Sequence, residues 1–300
     1  MSAGRYAPSP SADLHLGNLR TAVVAYLAAR RDGLAFRLRV EDLDQRCRPE
    51  IAQRQLADLR RLGLNWDGPV MYQSERQDAY RQAITHLRAE GLVYECFCSR
   101  RDIIEAPRAP HQPPGAYPGT CRCLTRTQRE ARRASKVPSL RLRSQVDGFA
   151  VVDRLVGVSR QPVDDFVLRR ADGAFAYNLA VVVDDAAQAV TQVTRGDDLL
   201  TSAGRQSYLG SLLGLPPVEY LHLPLVLGAH GQRLSKRDKA LAGKPLFDSY
   251  GGPAGVLQAI WQSLGLAESG LGAQVEAEIT LDELVEQFDW ERWSIGVWTV

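Results

Sequence analysis

The sequence predicts an α/β protein with a doubly wound parallel sheet, and three observations predict it. A strand, a helix and a second strand follow one another within the first 41 residues, the arrangement of a βαβ unit whose crossover makes the strands parallel. The apolar run Ala180-Val-Val-Val183 reads as a further buried strand. A helix at 201–213 and a strand at 221–227 then supply the second half of the sheet.

Taken in order, the first strand spans Arg5 to Ala7 and must stop at Pro8 and Pro10, which have no N–H to donate to a ladder. A helix starts near Asn18 and runs through Leu19, Val23, Val24 and Leu27, followed by a strand from Ala35 to Glu41. Helical patterns cover 50–62 and 77–90, and the Pro-, Gly- and Ala-rich stretch 105–120 reads as an inserted loop. A charged helix near 125–135 and short alternating segments at 140–143, 149–158 and 166–168 form a small mixed insert. The last 50 residues carry helical patterns and an aromatic end with Trp290, Trp293 and Trp298, expected to pack into a core.

Composition bounds the function more loosely. Apolar residues at 45% and charged residues at 24% are ordinary globular values. The net charge of +2 neither demands nor excludes a nucleic acid, although Arg100, Arg101, Arg126, Arg129, Arg132 and Arg133 fall in one region. The N-terminus lacks a signal-peptide core, and no run approaches the roughly 18 apolar residues of a membrane span. Four of the five cysteines lie between positions 96 and 123. Such clustering favours a metal site in a reducing compartment over a disulfide framework, so the expected location is the cytoplasm.

Two segments carry chemistry. The first is Arg5-Tyr6-Ala7-Pro8-Ser9-Pro10 followed by His15-Leu16-Gly17-Asn18, between a strand and a helix. A helix N-terminus there offers unpaired N–H groups to phosphates. Gly17 would let a nucleotide approach the backbone, and His15 would hydrogen-bond phosphate oxygens. The second is Arg233-Leu234-Ser235-Lys236-Arg237, a basic loop in which Lys236 can meet a leaving pyrophosphate as a point charge.

Together these segments resemble the two signatures of the class I glutamyl-tRNA synthetase family, with Arg233 where lysine is usual. The stretches 37–44, 175–185 and 193–200 resemble it too, so the likeness covers nearly the whole chain. It implies a Rossmann-type catalytic core that activates glutamate with ATP, with His15, Lys236 and Mg²⁺ stabilising the charge on the phosphates. ATP would lie on His15, Gly17, Asn18 and Lys236. Glutamate would be held by Arg5, Tyr6, Ala7, Pro8, Ser9, Glu41, Tyr177 and Arg195. A buried carboxylate needs a cation beside it, which is the work expected of Arg5 and Arg195, with Glu41 on the ammonium group.

The signature loop lies close to the end of the sequence, so a helical anticodon-reading domain is not expected. That resembles the shortened branch of the family that attaches glutamate to the queuosine base of tRNA(Asp). The resemblance implies four regions: residues 1–95 as the first half of the core, 96–174 as an inserted zinc-bearing subdomain, 175–245 as the second half with its loop, and 246–300 as a helical segment. It also implies a structural Zn²⁺ on Cys96, Cys98, Tyr117 and Cys121. From the residues alone, four thiolates with Cys123 suit tetrahedral zinc equally, and His111 is a further possible ligand. The expected partners are glutamate, ATP and queuosine-bearing tRNA(Asp), with neither membrane nor DNA, and the expected state is a monomer.

Overall fold

The computed structural model describes residues 1–105, 116–228, 246–265, 280–291, 293 and 295–299. The chain forms two compact units, one of Met1–Tyr72, Gln188–Leu199 and Glu219–Val300, the other of Gln73–Ala187 and Leu200–Val218. The first unit begins with β1 (Ala3–Tyr6), α1 (Leu16–Arg31), β2 (Ala35–Val40), α2 (Pro49–Arg61) and β3 (Met71–Tyr72). The chain then builds the second unit from α3 (Gln77–Ala89), β4 (Val93–Cys96), α4 (Arg100–Glu105), α5 (Arg126–Arg133), β5 (Ser139–Leu142), β6 (Gly148–Asp153), β7 (Gly157–Pro162), β8 (Val167–Arg169) and α6 (Tyr177–Ala187). It returns to the first with β9 (Val190–Gly196), gives α7 (Leu200–Leu212) to the second, and ends in the first with β10 (Glu219–Leu223), β11 (Val226–Leu227), α8 (Leu246–Ser249), α9 (Pro253–Ser263), α10 (Leu281–Gln287) and β12 (Trp298–Thr299).

In the first unit the strands lie in the order β3-β2-β1-β9-β10, all parallel. Helix α1 is buried along 22–29, as a crossover helix sandwiched in a core must be. Its Ala29 comes so close to β1 that a Cβ on Gly4 would stand 2.7 Å from the Ala29 Cβ. The C-terminal aromatics join this core: Phe288, Trp290 and Trp293 meet at ring-centroid distances of 4.9 to 5.6 Å.

Arg20 of α1 is also buried in this unit. Its Nη1 donates to the carbonyl of Pro224 (2.9 Å) and its Nη2 to those of Ser263 (3.3 Å) and Gly296 (3.2 Å). Its guanidinium lies 5.8 Å from the ring centroid of Trp298. Burial pulls its pKa down to about 10, because carbonyl dipoles replace only part of the lost water. Beside it, β11 and β12 pair in parallel.

The second unit holds an antiparallel sheet β4-β5-β8 and the hairpin β6-β7. Two expectations need correction here. Residues 149–158 turn within the segment, so the chain forms a hairpin of two strands. The run Ala180–Val183 is the middle of helix α6, not a strand. That helix buries Leu179, Ala180, Val181, Val182, Asp184 and Asp185. A helix covered on nearly every side shows no polar stripe, so its period disappears and a valine run looks like a buried strand. Asp184 anchors it, accepting from Gln73 Nε2 (3.0 Å), Arg76 Nε (2.8 Å) and the Tyr80 hydroxyl (2.6 Å). The strand that does join the sheet is β9, a few residues later. Further on, the expected strand 221–227 is interrupted, since Pro224 and Leu225 separate β10 from β11.

Candidate active site

The chain leaves β1 for β2 on one side, while β9 lies against β1 on the other. Order reversal of this kind opens a crevice at the carboxyl ends of parallel strands, where ligands bind in open α/β sheets. Most of the residues singled out in the sequence stand at that end of the first unit.

His15 is the N-cap of α1. Its Nδ1 accepts from the Asn18 N–H (3.3 Å), and the Asn18 Oδ1 accepts from the His15 N–H (3.2 Å), a reciprocal capping box. An accepting Nδ1 carries no proton, so the neutral ring holds its proton on Nε2 and offers a donor there. Gly17 has a role the sequence does not suggest. A Cβ at that position would lie 3.1 Å from His15 Cε1 and 3.2 Å from Nδ1, so the missing side chain makes room for the imidazole.

Arg5 and Arg195 sit on the adjacent strands β1 and β9, exposed by only 4% and 5%. Nη1 of Arg5 donates to the Thr194 carbonyl (3.2 Å). Nε of Arg195 donates to Nε2 of His222 (3.0 Å) and its Nη2 to the Leu199 carbonyl (3.1 Å), with its guanidinium 4.9 Å from the Tyr220 ring centroid. Glu41 follows β2 directly. Its N–H donates to the Pro8 carbonyl (2.9 Å), and its Oε1 accepts from Nη2 of the fully buried Arg39 (3.2 Å). Arg39 in turn donates from Nη1 to the Gln188 side chain (3.0 Å). Tyr6 is buried, and burial followed by the Glu41 charge pushes its hydroxyl pKa upward.

Ala7 is half-buried, Pro8 buried and Ser9 exposed. The Ser9 hydroxyl lies 3.6 Å from the Cys47 sulfur, which donates in turn to the Glu41 carbonyl (3.6 Å). Tyr177 belongs to the second unit, where it opens α6 and is 37% exposed. Lys236, with the rest of the basic loop, and His111 lie outside the described residues.

Sequence reasoning missed Arg39, Gln188, Tyr220 and His222. Arg39 was within reach, because alternation along β2 puts Arg39 and Glu41 on one face. His222 was not, since only the pairing of β10 with β9 brings it opposite Arg195.

The second unit brings three cysteines together. The sulfurs of Cys96, Cys98 and Cys121 lie within 4.8 Å of one another. Cys98 and Cys121 are 3.6 Å apart, and the Tyr117 hydroxyl is 3.3 Å from Cys96 and 3.7 Å from Cys98. Zinc–sulfur bonds of about 2.3 Å in a tetrahedron place sulfurs about 3.8 Å apart, so this donor set fits a tetrahedral metal. Cys123 is exposed and stands outside the described cluster. Burial raises the Cys98 thiol to about 11. Burial also works against ionising Cys96, but the Tyr117 hydroxyl and the Arg141 charge prevail and hold its pKa below the usual thiol value.

The nearby arginines spend much of their charge locally. Arg101, Arg126 and Arg133 pair with Glu105, Glu130 and Glu95, and Arg132 donates to the Cys121 sulfur (3.5 Å). No described helix is long and apolar enough to cross a membrane.

Comparison with known proteins follows the same lines. The family model of class I tRNA synthetases (E and Q), catalytic domain, matches residues 3–300. The chain is 60% identical over 265 residues to a glutamyl-Q tRNA(Asp) synthetase from Nocardia farcinica, covering 88% of this chain and 85% of that protein. It is 49% identical over 271 residues to the protein of the same name from Cutibacterium acnes, covering 89% and 77%. Among solved structures, a glutamate tRNA ligase from Elizabethkingia meningosepticum, crystallised with its amino acid, superposes with a TM-score of 0.81 at 25% identity. That match covers 99% of this chain, which spans 66% of the ligase's length.

Proposed function

The chain belongs to the class I tRNA synthetases of the glutamate and glutamine type, and within them to the glutamyl-Q tRNA(Asp) synthetases; from that premise we propose how its own residues carry out the reaction. It is an ATP-dependent ligase that joins glutamate to the AMP moiety of ATP as glutamyl-adenylate, releasing pyrophosphate without need of tRNA, and then transfers glutamate to the queuosine base of tRNA(Asp). The observation that supports this reading is a pair of buried guanidiniums, Arg5 and Arg195, on adjacent parallel strands, the first of which is followed in the chain by the histidine-capped helix α1.

In the first step the α-carboxylate of glutamate attacks the α-phosphorus of ATP, and pyrophosphate leaves with the electrons of the broken P–O bond. The protein contributes alignment and charge. His15 donates from Nε2 to the phosphates, the N–H of Gly17 faces the nucleotide, Asn18 holds the His15 ring in place through the capping box, and Lys236 meets the pyrophosphate. Mg²⁺ bound to the phosphates would neutralise further charge. Arg5 and Arg195 bind the side-chain carboxylate, while Glu41, fixed by Arg39, binds the ammonium group. Tyr6, Ala7, Pro8 and Ser9 line the amino acid.

In the second step a hydroxyl of the queuosine ring attacks the adenylate carbonyl and AMP leaves. Cys96, Cys98, Tyr117 and Cys121 would hold a structural zinc, which would tie β4 to the segment around Cys121. The fit of the donor spacing to a tetrahedron supports this.

The test has two arms. Glutamate-dependent ATP–pyrophosphate exchange is measured without tRNA, and labelled glutamate is then offered to tRNA(Asp) with and without queuosine. Exchange with glutamate but not glutamine, and transfer only to the queuosine-bearing tRNA, are expected. Absence of exchange, or equal transfer to both tRNAs, overturns the reading.

A further inference from the structure

We propose that His222 is a positioning residue that sets the specificity of this site, by fixing the guanidinium of Arg195 in the plane from which it reads the glutamate side chain. The inference rests on the role given to Arg195 above.

The argument begins with the strand pair. β10 and β9 run parallel with His222 in register opposite Arg195. Both residues are nearly inaccessible, His222 at 2% and Arg195 at 5%. An arginine side chain has several rotatable bonds and loses much rotamer freedom when fixed. A guanidinium also discriminates only when its planar fork is aimed. Here three contacts aim it: the imidazole accepts from Nε at 3.0 Å, the Leu199 carbonyl accepts from Nη2 at 3.1 Å, and the Tyr220 ring lies under the guanidinium at 4.9 Å. Tyr220 and His222, two residues apart on β10, stack on each other with ring planes 16° apart, so the imidazole is itself held.

The chemistry of the contact decides its role. An imidazole nitrogen that accepts from a guanidinium must be unprotonated, which leaves the proton of His222 on Nδ1. A carboxylate in the same place would also orient Arg195, but would neutralise the charge meant for the ligand. A neutral acceptor orients the cation without itself neutralising the charge. With Nε committed to the imidazole, the glutamate carboxylate is met through the terminal nitrogens. Losing the acceptor therefore costs alignment, and alignment is what separates a carboxylate from the isosteric amide of glutamine.

The experiment compares His222→Leu, His222→Gln and Arg195→Ala with the parent chain in ATP–pyrophosphate exchange. It reads KM for glutamate, KM for ATP, kcat and the preference for glutamate over glutamine, with thermal melts of each variant. Loss of one hydrogen bond to a charged group corresponds to about a tenfold effect. His222→Leu should raise the glutamate KM about tenfold and lower the preference for glutamate by a similar factor, leaving the ATP KM within about twofold. His222→Gln retains a neutral acceptor and should recover most of the preference, and it serves as the folded variant if His222→Leu melts early. Arg195→Ala should exceed both.

A His222→Leu enzyme with parental glutamate KM and preference, beside a crippled Arg195→Ala, overturns the inference while leaving the role of Arg195 intact. So does an equal rise of the glutamate and ATP KM values in both His222 variants, the mark of a packing role. If Arg195→Ala itself keeps the parental glutamate KM, the reading of Arg195 falls, and the inference with it.

Discussion

The cysteine cage of the second unit and the ligand end of the parallel sheet in the first are both sets of converging polar side chains, assembled in opposite ways. The cage takes its donors from one stretch, residues 96–121. The ligand end draws on residues 5, 39–41, 188–195 and 220–222, joined by bonds such as Arg39 to Gln188 across 149 positions of sequence. A local set depends on every donor it has, because a structural zinc site is closed by four protein ligands. In the distributed set the sheet fixes the backbone, and each cation is then aimed by a neighbour from another strand. Loss of one member of the cage should therefore appear as lost stability, and loss of one member of the ligand end as lost selectivity.

The largest expected effect tests the first half of that contrast. Cys121→Ser should abolish stoichiometric zinc, read by metal analysis, and lower the melting temperature by about 10 °C, since metal binding free energy is folding free energy. Parental melting in a metal-free variant would erase the contrast. Next in size is Asp184→Asn, which carries the long-range rule into the second unit. This carboxylate is fully buried and bonded to Gln73, Arg76 and Tyr80. Leaving Arg76 without its charged partner should cost about 3 kcal/mol in urea unfolding, and a loss well under 1 kcal/mol would show that helix α6 is held by packing alone.

Gly17→Ala comes third. The added methyl displaces the His15 ring, so the ATP KM should rise about tenfold, near 1.4 kcal/mol, with the glutamate KM unchanged. A shift in glutamate KM instead would merge the two ends of the site.

The smallest effect belongs to Asp67, a half-exposed carboxylate that accepts from Arg30 and from the Phe36 N–H. The Arg30 hydrogen bond, against burial and helped by that N–H, holds its pKa below the usual carboxylate value. Its contribution is present above the unfolded-state pKa and is lost as pH falls through the folded one. Asp67→Asn should cost less than about 1 kcal/mol at neutral pH, and the difference from the parent should vanish in acid. A difference that persists there would assign the effect to packing.

How much of this was legible follows from the same contrast. The α1 helix and its flanking strands were read from the spacing of Leu19, Val23, Val24 and Leu27 and from the prolines, because a βαβ unit is written in consecutive residues. Clustering of Cys96, Cys98 and Cys121 was visible for the same reason. The sequence left Tyr117, Cys123 and His111 open as a fourth ligand. Among the described residues, the Tyr117 hydroxyl lies against the sulfurs while Cys123 faces solvent. Helix α6 was misread because full burial removes the polar stripe that distinguishes a helix. His222 and Gln188 were invisible, since a strand's neighbour is chosen by the whole sheet and leaves no mark at a fixed spacing.

The carbonyl clamp on Arg20 has a consequence for synthesis. Among the described residues, the short strand β11 pairs with Trp298 and Thr299, and Arg20 takes the carbonyl of Gly296 as one of its acceptors. On the ribosome, the first βαβ unit can collapse early, but this corner must wait until Gly296, Trp298 and Thr299 have emerged from the exit tunnel. A nascent chain stalled before residue 296 should therefore expose a cation without its full set of acceptors, and should be more readily cut by protease near Pro224 than the released protein.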